Sequence, residues 1–210
     1  MLHADGIIFD MDGTLWDASD VLAQCWTKTL ARYPTKRREI TGADLRAVMG
    51  KVLEEIAGIF FPEQPEAMRN EILRVCCEEE CEYLRVHGAK LYDKLEETLQ
   101  TLSHRHRLFI VSNCQAGYVE AFLAHYGFGH YFEDYEYAGR TGRPKGENIR
   151  LLADRNHLTA PLYVGDTMGD YEACQQAGVA FLHAAYGYGT VPPGTPALRR
   201  FSDLCSVVAP

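Results

Sequence analysis

The chain has 210 residues, 47% of them hydrophobic and 24% charged, with a formal net charge of −8. That length suits one domain, or one domain with a smaller insertion, and can bury a core without disulfide or metal staples. The acidic balance excludes the basic face that a nucleic-acid partner needs, and no run of about 18 apolar residues offers a membrane span.

In chain order, the N-terminus Met1-Leu2-His3-Ala4-Asp5 lacks the basic and apolar regions of a secretion signal. Residues 6–9 then read as a short buried strand, which runs into Asp10-Met11-Asp12-Gly13-Thr14. Two acids at the mouth of a buried strand are costly unless a metal, a partner or hydrogen bonds offset them. Residues 15–90 read as helical throughout. One helix is expected over 19–32, capped by Asp17 or Ser19 and ended by Pro34. Another is expected over 43–48, after Thr41 or Gly42 and before Gly50, and a third over 65–86. The run Glu78-Glu79-Glu80 reads as a solvated face. Cys77 and Cys81 share a helix face, but no second pair follows at zinc spacing. A helix over 91–104 returns the chain to the sheet, and His104 and His106 beside it read as a solvated helix end.

Three further strands are expected over 108–112, 162–165 and 179–182, with an edge strand between Phe132 and Tyr137. Helices over 116–126, 147–156 and 170–177 separate them, and Pro192-Pro193-Gly194 forms a loop before a last short helix. None of the strands alternates, as expected where both faces are buried in a parallel sheet. The pattern predicts a doubly wound α/β fold with a core of residues 1–14 and 91–210 and an inserted all-helical subdomain of residues 15–90. The seven cysteines, odd in number and irregular in spacing, fit a reducing cytoplasmic compartment.

Ligands of open α/β sheets bind outside the carboxyl ends of the strands. Three stretches besides 10–14 fall there: Ser112-Asn113, Arg143-Pro144-Lys145-Gly146, and Gly165-Asp166-Thr167-Met168-Gly169-Asp170. Asp10, Asp12, Asp166 and Asp170 thus converge. Four acids so close repel one another unless a divalent cation joins them, and hard oxygen ligands in that number suit Mg²⁺.

In order and spacing these stretches resemble the four motifs of the haloacid dehalogenase superfamily, and the helical insertion resembles the cap of its phosphoglycolate phosphatase-like branch. The resemblance implies a Rossmann-like core, a cap and a Mg²⁺-dependent phosphatase acting on a small phosphorylated metabolite. It implies that Asp10 is the nucleophile and becomes an aspartyl phosphate. Asp12 would be the acid and base, and its backbone carbonyl would bind Mg²⁺ with Asp10 and Asp166. Asp170 would serve the metal through a bound water, or hold Lys145. Ser112 and the backbone of Asn113 would bind the phosphoryl oxygens, with Gly13 and Thr14 in the same set. Lys145 would neutralise charge on the transferring group. The family often has Lys-Pro where this chain has Arg143-Pro144-Lys145, so Arg143 competes for that role. Lys145 is favoured because it opens a helix and is the only lysine after Lys94.

In the insertion, Arg46 and Lys51 near Gly50 are expected to meet a second anion of the substrate, and Trp16, Trp26 and Tyr33 to be cap core rather than substrate wall. Asp12 argues against a dehalogenase or a phosphonatase. A sugar phosphomutase, or a catalytically idle binding protein on the same fold, is the alternative. No nucleic-acid or membrane partner is expected, and the protein would be a monomer or dimer.

Overall fold

Gly6–Phe9 forms β1, and every residue in it is buried. In the computed structural model, which describes residues 2–36 and 39–209, Ile7 and Phe9 join one hydrophobic layer. Ile8 joins another, with Phe109, Val111 and Tyr163. A strand covered on both sides has no polar face, so its sequence has no alternation.

After β1 the chain leaves the sheet through Trp16–Asp17, a two-residue strand paired antiparallel with Lys90–Leu91. Between them lie α1 (Ser19–Leu30), α2 (Gly42–Arg46), α3 (Leu53–Phe60) and α4 (Glu66–His87). Asp17 receives the Ser19 N–H at 3.1 Å just ahead of α1. Thr41 caps α2 in a reciprocal box with Asp44. α3 has no counterpart among the expected elements. Its N-cap residue Val52 has no side-chain acceptor, and Gly58 interrupts a short apolar pattern. In α4 the buried positions include Leu73, Cys76, Cys77, Glu80, Cys81 and Leu84, the spacing of one helical stripe. Glu80 lies on that stripe and is 3% exposed. The acidic run is therefore not a wholly solvated face: Glu78 points outward and Glu80 inward.

α5 (Leu95–Ser103) leads to β2 (Arg107–Ser112). There follow α6 (Tyr118–Tyr126), β3 (Asp134–Tyr137), α7 (Ala138–Thr141), α8 (Lys145–Arg155), β4 (Pro161–Gly165), α9 (Met168–Ala177), β5 (Ala180–Ala184), β6 (Ala197–Leu198) and α10 (Leu204–Val207). The six strands pair in parallel in the order β3-β2-β1-β4-β5-β6. The two-residue β6 was too short to leave a sequence signal. His106, expected in a solvated helix end, is buried with Nδ1 3.3 Å from the Ala4 carbonyl, while His104 is exposed. The end residues 1 and 210 of the expected core segments lie outside the described residues. Phe9 sits between Ile110 of β2 and Val164 of β4. The succession of strands crosses from β3 to β4 over β1, so the crevice of a doubly wound sheet opens beyond Phe9.

Trp16 is fully buried, with Tyr118, Phe122 and Tyr126 edge-on to it at 5.5, 5.0 and 6.3 Å between ring centres. It ties the start of the helical segment to α6. Replacing Trp16 by Ala should lower stability by about 3–5 kcal/mol. The check is equilibrium denaturation, where the midpoint should fall with the slope unchanged. Trp16→Phe should lose less, because the Trp16 indole N–H is buried without a partner.

Candidate active site

Beyond Phe9 the ladder continues for one residue. The Asp10 N–H donates to the Val164 carbonyl at 2.9 Å, which delivers the Asp10 side chain to the crevice, 3% exposed. The next residues turn tightly: Leu15 N–H donates to the Met11 carbonyl at 2.8 Å and Gly13 N–H to the Trp16 carbonyl at 2.9 Å. Gly13 has φ +81°, and a Cβ there would lie 2.2 Å from Asp166 Oδ2. Only glycine admits both that backbone and that neighbour. Asp166 follows β4, and its Oδ2 accepts the Tyr188 N–H at 2.7 Å.

Asp170 is placed by the start of α9. Thr167 caps the helix: its hydroxyl accepts the Asp170 N–H at 3.2 Å, and Asp170 Oδ2 accepts the Thr167 N–H and hydroxyl at 2.9 and 2.7 Å. This leaves Asp170 Oδ1 for Lys145, the first residue of α8. The Lys145 ammonium is 2.6 Å from Asp170 Oδ1 and 2.9 Å from Asp10 Oδ1. Lys145, not Arg143, stands among the carboxylates; Arg143 is exposed.

Oxygens of Asp10, Asp166 and Asp170 lie within 4.8 Å of one another, the one group among the described residues with the makings of a metal site. A single ammonium faces these three acids. Burial, reinforced by the Asp170 charge, raises Asp10 above the ordinary carboxylate range against the pull of Lys145. Burial also raises Asp166, to about 8, with the Asp170 and Asp10 charges adding to it. Asp170 would follow, but Lys145 and Thr167 hold it below its ordinary value. Burial alone would lower the ammonium of Lys145, but its two carboxylates hold it well above the ordinary range. Asp166 Oδ1 is buried with no hydrogen-bond partner. A group of this kind, short of positive charge and holding an unsatisfied oxygen, fits a divalent cation.

Asp12 lies across the turn. The Tyr118 hydroxyl donates to its Oδ1 at 2.8 Å, yet burial raises Asp12 to about 7, with Asp10 and Asp17 adding to the shift. A carboxyl with that affinity can hold or release a proton near neutral pH.

A cavity of about 60 Å³ adjoins Asp10 and Asp12. Ser112 and Asn113 line it from the core, and Lys51, Leu22, Val48, Leu53 and Ile56 from the helical segment. Trp26 also lines it; it is buried against Phe60, so it is both core and wall. Gly13 and Thr14 are not on this wall: Gly13 packs on Asp166, and the Thr14 carbonyl accepts the Tyr186 hydroxyl at 3.0 Å. Arg46, expected beside the substrate, is also absent from it. Its guanidinium bonds Ser19 and faces Asp20 at 3.3 Å and Asp17 at 3.7 Å. Asp17, just ahead of α1, and Asp20 within it claim it first. Lys51 reaches the wall, with its ammonium bonded to Glu55.

Sequence reasoning missed Tyr118, Gln115 and Glu80, which also line the cavity. Glu80 receives the Trp26 indole N–H and the Gln115 amide. Its signal was the apolar stripe of α4, on which a glutamate is out of place.

The model for the haloacid dehalogenase-like hydrolase family matches residues 7–184. A phosphoglycolate phosphatase of Aquifex aeolicus is 29% identical over 215 residues, covering 96% of this chain and 95% of that protein. A 5'-nucleotidase of Pseudomonas aeruginosa is 27% identical over 202 residues, covering 90% and 86%. The crystal structure of a predicted phosphoglycolate phosphatase from Haemophilus somnus superposes with a TM-score of 0.83 at 21% identity, covering 97% of each chain. The chain belongs to the haloacid dehalogenase-like hydrolase family, with its Rossmann-like core and helical cap. Within that family it is a phosphoglycolate phosphatase-like protein, a phosphoric monoester hydrolase. No helix among the described residues is long and apolar enough to cross a membrane.

Burial raises Glu80 from an ordinary value of 4.5 to about 8, against the pull of its two donors. The folded protein keeps a proton that the unfolded chain gives up. Its stabilising effect is therefore present below about pH 4.5 and lost as pH rises toward 8. Asp12 and Asp166 titrate in the same direction. Thermal melts between pH 5 and 8 should show stability falling, and Glu80→Leu should make that fall shallower.

Proposed function

We propose that this protein is a Mg²⁺-dependent phosphatase that hydrolyses a small phosphorylated metabolite through an aspartyl phosphate on Asp10, with the helices of residues 15–90 as its cap. The observation that carries the reading is the set Asp10–Lys145–Asp170 beside the unpartnered Asp166 Oδ1, at the head of a cavity lined by Ser112 and Asn113.

The Lys145 ammonium fixes Asp10 by one oxygen. A carboxylate so held has few rotamers to lose on attack. An Asp10 oxygen bonds to phosphorus as the ester P–O bond breaks, and Asp12 gives its proton to the departing oxygen. Water then attacks the phosphorus of the aspartyl phosphate. Asp12, now a carboxylate, takes that water's proton, and the bond to Asp10 breaks to release inorganic phosphate. The raised affinity of Asp12 supports both duties, since an acid-base group works best near the ambient pH. Ser112 and the Asn113 backbone would bind phosphoryl oxygens, and Lys145 would offset their charge. Asp10, Asp166 and the Asp12 carbonyl would hold Mg²⁺, with Asp170 beside them. When bound, the ion supplies positive charge to a site that has too little.

Asp10→Asn should lower turnover of an aryl phosphate at least ~10³-fold with an unchanged circular dichroism spectrum, because an amide is a poor nucleophile. More than a tenth of wild-type turnover in pure variant protein would remove Asp10 from this role. Chelator should abolish activity and Mg²⁺ restore it. Ca²⁺, larger and taking six to eight oxygens, should inhibit by drawing both Asp10 oxygens away from attack. Full activity in chelator would sink the metal assignment.

A further inference from the structure

Among the described residues, the Asp12 carboxyl has one hydrogen-bond partner, the Tyr118 hydroxyl, which donates to Oδ1 at 2.8 Å. No cation among them pairs with Asp12; Lys145 is taken by Asp10 and Asp170. The kind of partner matters for a group that must change charge. An ammonium or guanidinium would favour the carboxylate alone. A phenol keeps its proton well above neutral pH. The oxygen it bonds accepts both in the carboxylate and in the acid whose proton sits on the other oxygen. The bond therefore survives both halves of the reaction.

Tyr118 is itself held rigidly. It opens α6 after Gly117, is 2% exposed, and stands edge-on to Trp16 at 5.5 Å between ring centres. The Trp16 carbonyl accepts the Gly13 N–H at 2.9 Å, so Trp16 belongs to the same turn as Asp12. The ring of Tyr118 grips that turn through Trp16, and its hydroxyl grips the carboxyl. The last torsion of an aspartate is broad and roughly two-fold, so a carboxyl without a partner is poorly aimed. With Oδ1 tied, Oδ2 is the oxygen left over, on a side chain that lines the cavity with Asp10 and Ser112.

We propose that Tyr118 is a positioning residue for the acid-base step: its hydroxyl holds Asp12 by Oδ1, so that Oδ2 gives a proton to the departing oxygen and takes one from the attacking water. The inference rests on the phosphatase reading and adds a residue to it. Tyr118 gives up no proton at any stage. The proton leaves Asp12 Oδ2 as the ester P–O bond breaks, and the water's proton passes to Oδ2 as the water oxygen bonds to phosphorus. The hydroxyl acts on angle and reach, where a misplacement of about 1 Å can cost about 10²-fold.

The test is kcat/KM with Mg²⁺ in wild type, Tyr118→Phe and Asp12→Asn. The substrates are p-nitrophenyl phosphate and whichever of glycerol phosphate, phosphoethanolamine and phosphoglycolate the wild type turns over best. This ratio reports the steps up to loss of the leaving group. An alkoxide needs a proton to depart and p-nitrophenolate does not, so a misplaced acid is felt mainly on the alkyl phosphate. Tyr118→Phe keeps the ring against Trp16. It should lose at least about tenfold more on the alkyl phosphate than on the aryl one, and Asp12→Asn should lose more in the same direction. If Tyr118→Phe does not fold, Tyr118→His, a shorter polar ring that withdraws the donor from Asp12, carries the same comparison.

Equal proportional losses on both substrates in the Tyr118 variant, with a selective loss in Asp12→Asn, would overturn the proposal and leave the hydroxyl a structural bond. So would no loss on either substrate. Equal losses in Asp12→Asn would remove Asp12 from the acid role, and the proposal with it. Wild-type protein that hydrolyses neither class of ester with Mg²⁺ would fail the phosphatase reading itself, a distinct result.

Discussion

One ammonium among buried carboxylates governs this molecule. Lys145 pairs with Asp10 and Asp170 where water is excluded, and Asp166 stands close by with one oxygen unmatched. Charge in such a place is tolerable only when each lone pair finds a partner. Much of the local architecture supplies those partners. The cap of α9 gives Asp170 two donors, the loop after β5 gives Asp166 the Tyr188 N–H, and α6 gives Asp12 a tyrosine hydroxyl. What these donors leave uncompensated is a local excess of negative charge, the property by which a hard cation is retained.

The sheet was legible because buried parallel strands are written as plain apolar runs, and because three of those runs ended in Asp, Ser-Asn or Gly-Asp. The convergence of Asp10, Asp166 and Asp170 was readable from those strand ends, and Lys145 from its place at the start of a helix and from the family resemblance. What failed to show depended on partners distant in sequence. Arg46 looked free until the fold brought Asp17, ahead of α1, and Asp20, within it, to its guanidinium. Glu80 looked solvated because a run of three acids suggests a wet face, yet the helical period turns the third one inward. His106 looked solvated beside two arginines, but it is buried against the Ala4 carbonyl, just ahead of β1. α3 and β6 left too little pattern to be read.

The turn after β2 is one of the places where the cap is bonded to the core. The Asn113 amide donates to the Gly50 carbonyl at 2.8 Å, Gln115 donates to Glu80, and Cys81 Sγ lies 3.8 Å from the Ala116 carbonyl. Ser112, which ends the strand, is the residue just before. The element proposed to bind phosphoryl oxygens is therefore continuous with the one that steadies the cap. A shift of either would be felt by the other through a few residues of backbone, with no long chain of contacts between them.

The ribbon of Trp16–Asp17 with Lys90–Leu91 has a further consequence. From the side of the sheet, everything between those strands is a single loop whose two feet stand about 5 Å apart. The entropy of closing a loop grows only with the logarithm of its length, so the core is almost indifferent to how much chain hangs there. β1 can find its register against β2 before any of the four helices has formed. Helices can be lengthened, shortened or exchanged at the same two feet while the carboxylates below keep their places, which lets one hydrolytic core be fitted to many leaving groups.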